Sequence, residues 1–313
     1  METKGKFLEN TPVNQLGYLY AKFGRLIKAT SYDKGAVNSM WLVEESSREI
    51  IVRFYPVFFQ DKLSVETWVL RELRKRVNKT PELLELDVDG YLTPVLFLAK
   101  IPGVPLADVK QKMSRIEYSS LFSSLQELLQ AASTIPVDTI GYLHDPVKVL
   151  NISQYVEKSI DNYLGIVSKE NLLPLPEIKY LKEDMKYLQT ILFGRLPRLT
   201  YPDLSAGNIL IDDGCFSGLI DWDFVMGFEP MFSFGNLLLH LISGSGKKWM
   251  DIECFFENIS ITQKQEVVLL AEFRAAELLS YLPNTNLFKS QGKEKRLKDY
   301  KLALNKLHSI INY

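Results

Sequence analysis

The feature that most constrains this chain is a change of texture at Ile101-Pro-Gly-Val-Pro105. Two prolines and a glycine in so short a span continue neither a helix nor a strand ladder, so the segment divides the chain. Before it, apolar runs alternate with turns. Met40–Val43 and Ile50–Tyr55 are rich in β-branched and aromatic residues and flank Glu44–Glu49, the pattern of a β-hairpin. Tyr32–Asn38 precedes them as a turn with one glycine, Gly35. Leu63–Val77 places Val65, Trp68, Val69, Leu73 and Val77 near helical spacing and is expected to be a helix. Leu83–Leu86 and Tyr91–Leu98 read as two more strands around Asp87–Gly90. Strands with one internal helix predict a small first lobe over residues 1–100.

Beyond the break, Ser114–Ala132, Asn151–Val167, Glu177–Phe193, Met231–Ser243, Thr262–Leu282 and Lys293–Ile311 have helical periodicity. They predict a larger, mainly helical second lobe over residues 101–313, and with the first lobe an α+β chain. One β-rich stretch interrupts the helices, Leu199–Phe224. The charge run Lys289–Lys301 reads as a solvated face of the last helix.

Composition narrows the function. Thirty-seven basic residues against 38 acidic ones leave a formal charge of −1, so no long-range field draws the chain to nucleic acid or an anionic membrane. Neither is expected as a partner, and no obligate protein partner is inferred. Two cysteines exclude a disulfide scaffold and a Cys-rich metal site. His144, His240 and His308 lie far apart without ligand spacing, so they are expected to be structural, with no structural zinc. The first ten residues lack the apolar core of a signal peptide, and no long uncharged apolar run occurs further along. A cytoplasmic protein is expected.

The chemistry is concentrated in Leu199–Phe224. Asp203 and Asn208 stand five apart across a short loop, and Asn208 opens the apolar run Ile209–Ile211. Asp212–Gly218 can reverse the chain, so that Leu219-Ile220 returns Asp221 beside Asn208. Two carboxylates and an amide then converge at one end of a hairpin. The spacing alone carries nothing, since Asp33 and Asn38 repeat it without such surroundings. The loop, buried strand, tight turn and second strand ending in Ile-Asp-Trp-Asp223 make the composite specific. Asp223 itself reads as a neighbouring carboxylate or a helix cap.

Asp203-x4-Asn208 followed by Ile220-Asp221-Trp222 resembles the phosphotransferase motif and metal-binding Asp of the aminoglycoside phosphotransferase and choline kinase-like family. The resemblance implies a two-lobed protein-kinase-like fold. It extends to Ile51-Val-Arg53, similar to the strand that carries the phosphate-contacting base, and to Glu66, which looks like its helix partner. Leu96–Leu106, with Lys100 inside it, is similar to the hinge where the family's adenine ring meets backbone groups. The resemblance further implies that Asp203 accepts or orients the acceptor hydroxyl and that Asn208 and Asp221 hold Mg²⁺. It implies that Arg53, Glu66, Gly35 and Lys100 contact or support an ATP or GTP donor. The implied acceptor is a hydroxyl of a small molecule, such as an aminoglycoside or macrolide antibiotic. Acidic residues on the later helices, Asp251, Glu253, Glu257, Glu272 and Glu277, offer themselves to a cationic substrate.

The chain departs from the family pattern at three places. Tyr201 stands where the family has a histidine, Ser233 where an aspartate braces the catalytic loop, and Arg53 where lysine is common. The first two predict a loop held by different contacts. Arginine keeps the charge with a forked donor geometry. These departures set a second reading, a catalytically silent nucleotide-binding or scaffolding protein, against the kinase. A protein kinase is disfavoured, because no activation segment of kinase length and no Ala-Pro-Glu-like anchor come after Asp221.

Overall fold

A computed structural model describes residues 11–25, 27–32, 39–56, 59–243, 252–257, 259–283 and 290–311. The chain divides into two compact units, Met1–Pro102 with Ser217–Asp223, and Gly103–Phe216 with Phe224–Tyr313. Among the described residues no helix is long and apolar enough to cross a membrane.

The first unit is built on an antiparallel sheet of β1 (Lys28–Tyr32), β2 (Ser39–Glu44), β3 (Glu49–Phe54), β4 (Leu83–Asp87) and β5 (Val95–Ala99), in the order β1-β2-β3-β5-β4. Side chains alternate across a strand, and β3 shows the result. Ile50, Val52 and Phe54 join Trp41, Val43, Val95, Phe97 and Tyr91 in a buried core that also holds Tyr18 and Leu19 of helix α1 (Pro12–Phe23). Arg53 therefore leaves β3 on the opposite side, and there it meets Glu66 of α2 (Gln60–Arg74).

Helix α1 has no counterpart among the expected elements. It starts at Thr11, whose side chain accepts from Asn14 N–H, with Pro12 in its first turn. Gln15 is buried and accepts from Ser39 Oγ at 2.7 Å and Trp41 Nε1 at 2.8 Å. In α2 the expected apolar stripe is corrected at Trp68, which is 38% exposed, whereas Glu66 is fully buried. The second strand of the Asp87–Gly90 hairpin begins at Val95 rather than Tyr91, because Pro94 cannot donate to a ladder.

The second unit is mainly helical: α3 (Leu106–Val109), α4 (Arg115–Ser133), α5 (Ile152–Lys169), α6 (Leu175–Leu192), α7 (Met231–Ser243), α8 (Ile252–Glu257), α9 (Ile261–Tyr281) and α10 (Ser290–Ile311). Ser114 with Glu117 and Ser260 with Gln263 form capping boxes that start α4 and α9. Gly235 lets α7 approach α9, since a Cβ there would lie 2.9 Å from the Ala271 nitrogen. Short strands frame the loop that carries Asp203: β6 (Val104–Pro105) pairs with β9 (Ile209–Asp212), and β7 (Gly141–Tyr142) and β8 (Arg198–Thr200) flank β11 (Met226–Phe228).

Two turns depend on special backbone. Asp213 (φ 47°) and Gly214 (φ 73°) turn the chain out of β9 into β10 (Cys215–Leu219), the left-handed pair that an Asp-Gly hairpin turn requires. Gly103 sits at φ 104°, and a Cβ there would come within 2.4 Å of the Ile211 carbonyl oxygen. Gly103→Ala is therefore expected to destabilise the protein by about 2–4 kcal/mol through strain and backbone clash, readable as a lower urea midpoint.

Candidate active site

The site residues of the first unit converge on Arg53. Its Nη1 donates to Glu66 Oε1 at 2.7 Å and its Nη2 to Asp221 Oδ1 at 2.7 Å. Arg53 is 6% exposed and Glu66 is fully buried. Glu66 also accepts from the Tyr55 hydroxyl and the Trp222 backbone N–H. Burial works to lower the Arg53 pKa, but Glu66, Tyr55, Asp221 and Asp223 together hold it above the ordinary arginine value. Burial pushes the Glu66 carboxyl up while Arg53 draws it back down. The arginine stays charged, so the pair is ionic and replaces the water it displaced.

Two further bonds stitch segment 217–223 to this unit. Leu219 N–H donates to the Lys79 carbonyl at 3.0 Å, and Ser217 Oγ donates to the Pro102 carbonyl at 2.7 Å. Asp221 then takes φ 68°, a left-handed conformation that is strained for a side-chain-bearing residue. Trp222, fully buried, locks the turn through Nε1 to the Leu219 carbonyl at 2.9 Å. Asp221 keeps 40% of its side chain exposed, whereas Asp223 is buried. Burial, then Asp221 and Glu66, push the Asp223 carboxyl up to about 7, against Arg53 and Lys62. This surplus of negative charge, on hard oxygen donors, fits a divalent cation such as Mg²⁺ at Asp221.

In the second unit, the loop between β8 and β9 carries Asp203 and Asn208. Asn208 Nδ2 donates to the Asp203 carbonyl at 3.0 Å and to Asp203 Oδ2 at 2.9 Å. The amide thereby orients the carboxylate and keeps its own oxygen as a donor atom suited to a metal. Tyr201 is fully buried, and its N–H donates to Ser233 Oγ at 3.2 Å. The serine that replaces the bracing aspartate thus still caps this loop, with a neutral acceptor. Ser233→Ala would remove that bond to a buried N–H, and is expected to cost about 1–3 kcal/mol, measured by chemical denaturation.

A second brace was invisible in the sequence. Asn236 of α7, fully buried, donates from Nδ2 to the Leu204 carbonyl at 3.2 Å, and its Oδ1 accepts from Arg274 Nε of α9 at 3.0 Å. Arg274 Nη1 donates to Glu277 Oε2 at 2.5 Å and to the Tyr142 hydroxyl at 2.8 Å. Tyr142, Tyr163 and Tyr281 all donate to Glu277 Oε1. Burial opposes the charge on Arg274, but Tyr142, Glu277 and Asp203 keep its pKa well above the ordinary value. A buried cation therefore sits behind Asp203. Its partners come from α7, α9 and β7, so no local spacing advertises it.

The other residues singled out in the sequence lie apart from these groups or outside the described residues. Lys100, just after β5, pairs with Glu49 at 2.8 Å on the surface. Gly35 lies outside the described residues, as does Asp251, and the side chain of Glu253 is likewise undescribed. Glu272 and Glu277 are buried, which corrects the expectation that these two carboxylates face a cationic substrate, and Glu257 pairs with Arg115. Helix α9 turns the Glu272 and Glu277 faces to the core, whereas Glu257 stays exposed on α8. His144 packs on Tyr142 and Phe224, and burial lowers the His240 pKa to about 4, leaving it neutral.

With this geometry established, comparisons identify the class. The model of the phosphotransferase enzyme family, APH, matches residues 28–253. The chain belongs to that family, and it is a small-molecule kinase. Its α+β fold, an antiparallel-sheet unit and a mainly helical unit, is that of solved aminoglycoside phosphotransferases. The GDP complex of wild-type aminoglycoside 2'-phosphotransferase-IIIa superimposes with a TM-score of 0.70 at 19% identity, covering 95% of this chain and 99% of that one. The GDP and kanamycin complex of APH(2")-IIia gives 0.67 at 19% identity, covering 95% and 99%. A thermostable mutant of APH(4)-Ia in ternary complex with AMP-PNP and hygromycin B gives 0.64 at 13% identity, covering 95% and 97%. No curated protein sequence matches the chain.

Proposed function

We propose that the protein transfers the γ-phosphoryl group of ATP or GTP to a hydroxyl of an aminoglycoside-like antibiotic, and so confers resistance to it. The observation that carries this reading is the buried Arg53, held by Glu66 at one end and bonded to the strained Asp221 at the other. A surface ion pair would need neither the burial nor the strain. The acceptor class is taken from solved structures of the same fold, whose partners are kanamycin and hygromycin B.

In this mechanism Arg53 contacts donor phosphate oxygens, and Glu66 fixes the direction of its fork. Asp203, oriented by Asn208 Nδ2, receives or directs the proton of the acceptor hydroxyl. Ser233 and the Asn236–Arg274 pair hold the loop so that this carboxylate needs no reorganisation. Asn208 and Asp221 would each offer an oxygen to Mg²⁺, which when bound would neutralise charge on the donor phosphates. Lys100 and the backbone around it are assigned to the base-binding hinge.

The test incubates purified protein with Mg²⁺ and ATP or GTP across a panel of aminoglycosides and macrolides, with mass spectrometry of the products. A singly phosphorylated aminoglycoside supports the reading. Nucleotide turnover with only a different hydroxylated acceptor would overturn the substrate class, and absence of turnover and transfer would favour the silent reading.

A further inference from the structure

Three side chains from three helices of the second unit, none of them assigned above to phosphoryl transfer, meet one another. Asp184 of α6, Glu272 of α9 and His308 of α10 each bring a ligand atom within 4.8 Å of the others. His308 Nε2 lies 3.3 Å from Glu272 Oε1 and 3.9 Å from Asp184 Oδ2. Glu272 is fully buried, and no donor of another described residue reaches its oxygens or Asp184 Oδ2, so that the two carboxyls can bond only to each other, through a shared proton. Two facing carboxylates, one of them sealed from water, are costly to bury unless positive charge or a proton joins them. Burial, and for Glu272 the neighbouring Asp184, accordingly raises both carboxyl pKa values.

We propose that Asp184, Glu272 and His308 form a zinc site that clasps the last helix, α10, to α6 and α9. One imidazole nitrogen and two carboxylate oxygens are zinc ligands, and a water completes four-fold coordination. Magnesium and calcium prefer all-oxygen sets, so the imidazole selects a transition metal. At zinc bond lengths, tetrahedral donor atoms sit about 3.3 Å apart. The His308–Glu272 separation already has that value, and Asp184 needs a small closing movement. Asp184 and His308 each keep 19% of their side chains exposed, which gives an ion a way in. The ligands are spread from residue 184 to residue 308, so histidine spacing in the sequence could not disclose the site. The proposal is independent of the phosphotransfer reading.

The test uses the full-length protein stripped with a chelator, then titrated with ZnCl₂. One zinc per chain should survive gel filtration, and Tm should rise by about 4 °C when free zinc exceeds Kd about 100-fold. MgCl₂ should produce neither effect. Glu272→Gln and His308→Ala should lose both the bound zinc and the rise. Stripped Glu272→Gln should melt no lower than the stripped wild type, because it removes one of two facing charges, and so serves as a folded control. A wild type that holds no zinc and shows no shift, or a Glu272→Gln or His308→Ala protein that keeps one zinc, overturns the proposal.

Discussion

Replacing Asp203 with asparagine should lower the rate of phosphoryl transfer by about 10²–10⁴-fold while nucleotide affinity stays within severalfold. The substitution preserves size and removes only the charge and the proton-accepting oxygen. Asp203 is held by the Asn208 amide, and the loop beneath it by Ser233 and Asn236, so the backbone should not move. Single-turnover rates and nucleotide titrations on the same preparation separate the two effects. Equal, small changes in both would remove Asp203 from the reaction.

The largest stability effect should come from Arg53→Met. The variant keeps the stem of the side chain but leaves Glu66, fully buried, without its cation. Breaking a buried pair from one side typically costs about 3–5 kcal/mol, far more than a surface pair contributes. The sign of its pH dependence is set by Glu66. Burial already pushes that carboxyl up, and without Arg53 nothing of comparable size draws it back. A folded-state pKa above the unfolded one favours folding below the unfolded value, about 4.3, and loses that advantage as pH rises through the folded value. The deficit of Arg53→Met relative to wild type should therefore shrink on acidification. Denaturation at several pH values measures it, and a deficit below about 1 kcal/mol would mean that the pair is solvated.

The divide at Ile101–Pro105 and the long helices were legible because each rests on a local rule, chain breakers in one case and period in the other. The family resemblance was legible because Asp203, Asn208 and Asp221, the residues that carry it, fall within 19 residues of one another around a single hairpin. Helix α1 escaped because its buried face includes a polar residue, Gln15, whose value appears only when Ser39 and Trp41 donate to it. Strand β1, Lys-Ala-Thr-Ser-Tyr, lacks the aliphatic run that marks a strand, and it forms by pairing with β2. Glu277 looked like a surface carboxylate because nothing near it in sequence reveals Arg274's second partner, Asn236, or the distant tyrosines Tyr142 and Tyr163. Ser233 shows an intermediate case: its position was readable, whereas its bond to Tyr201 N–H needed the fold.

The most direct measurement of the central claim compares wild-type protein with Asp203→Asn, each incubated with Mg²⁺, a nucleoside triphosphate and an aminoglycoside panel, with products read by mass spectrometry. The account predicts one added phosphoryl group on an aminoglycoside hydroxyl with wild type, and a rate at least about 10²-fold lower with the variant. Product formed equally fast by both proteins, or by neither, would contradict it.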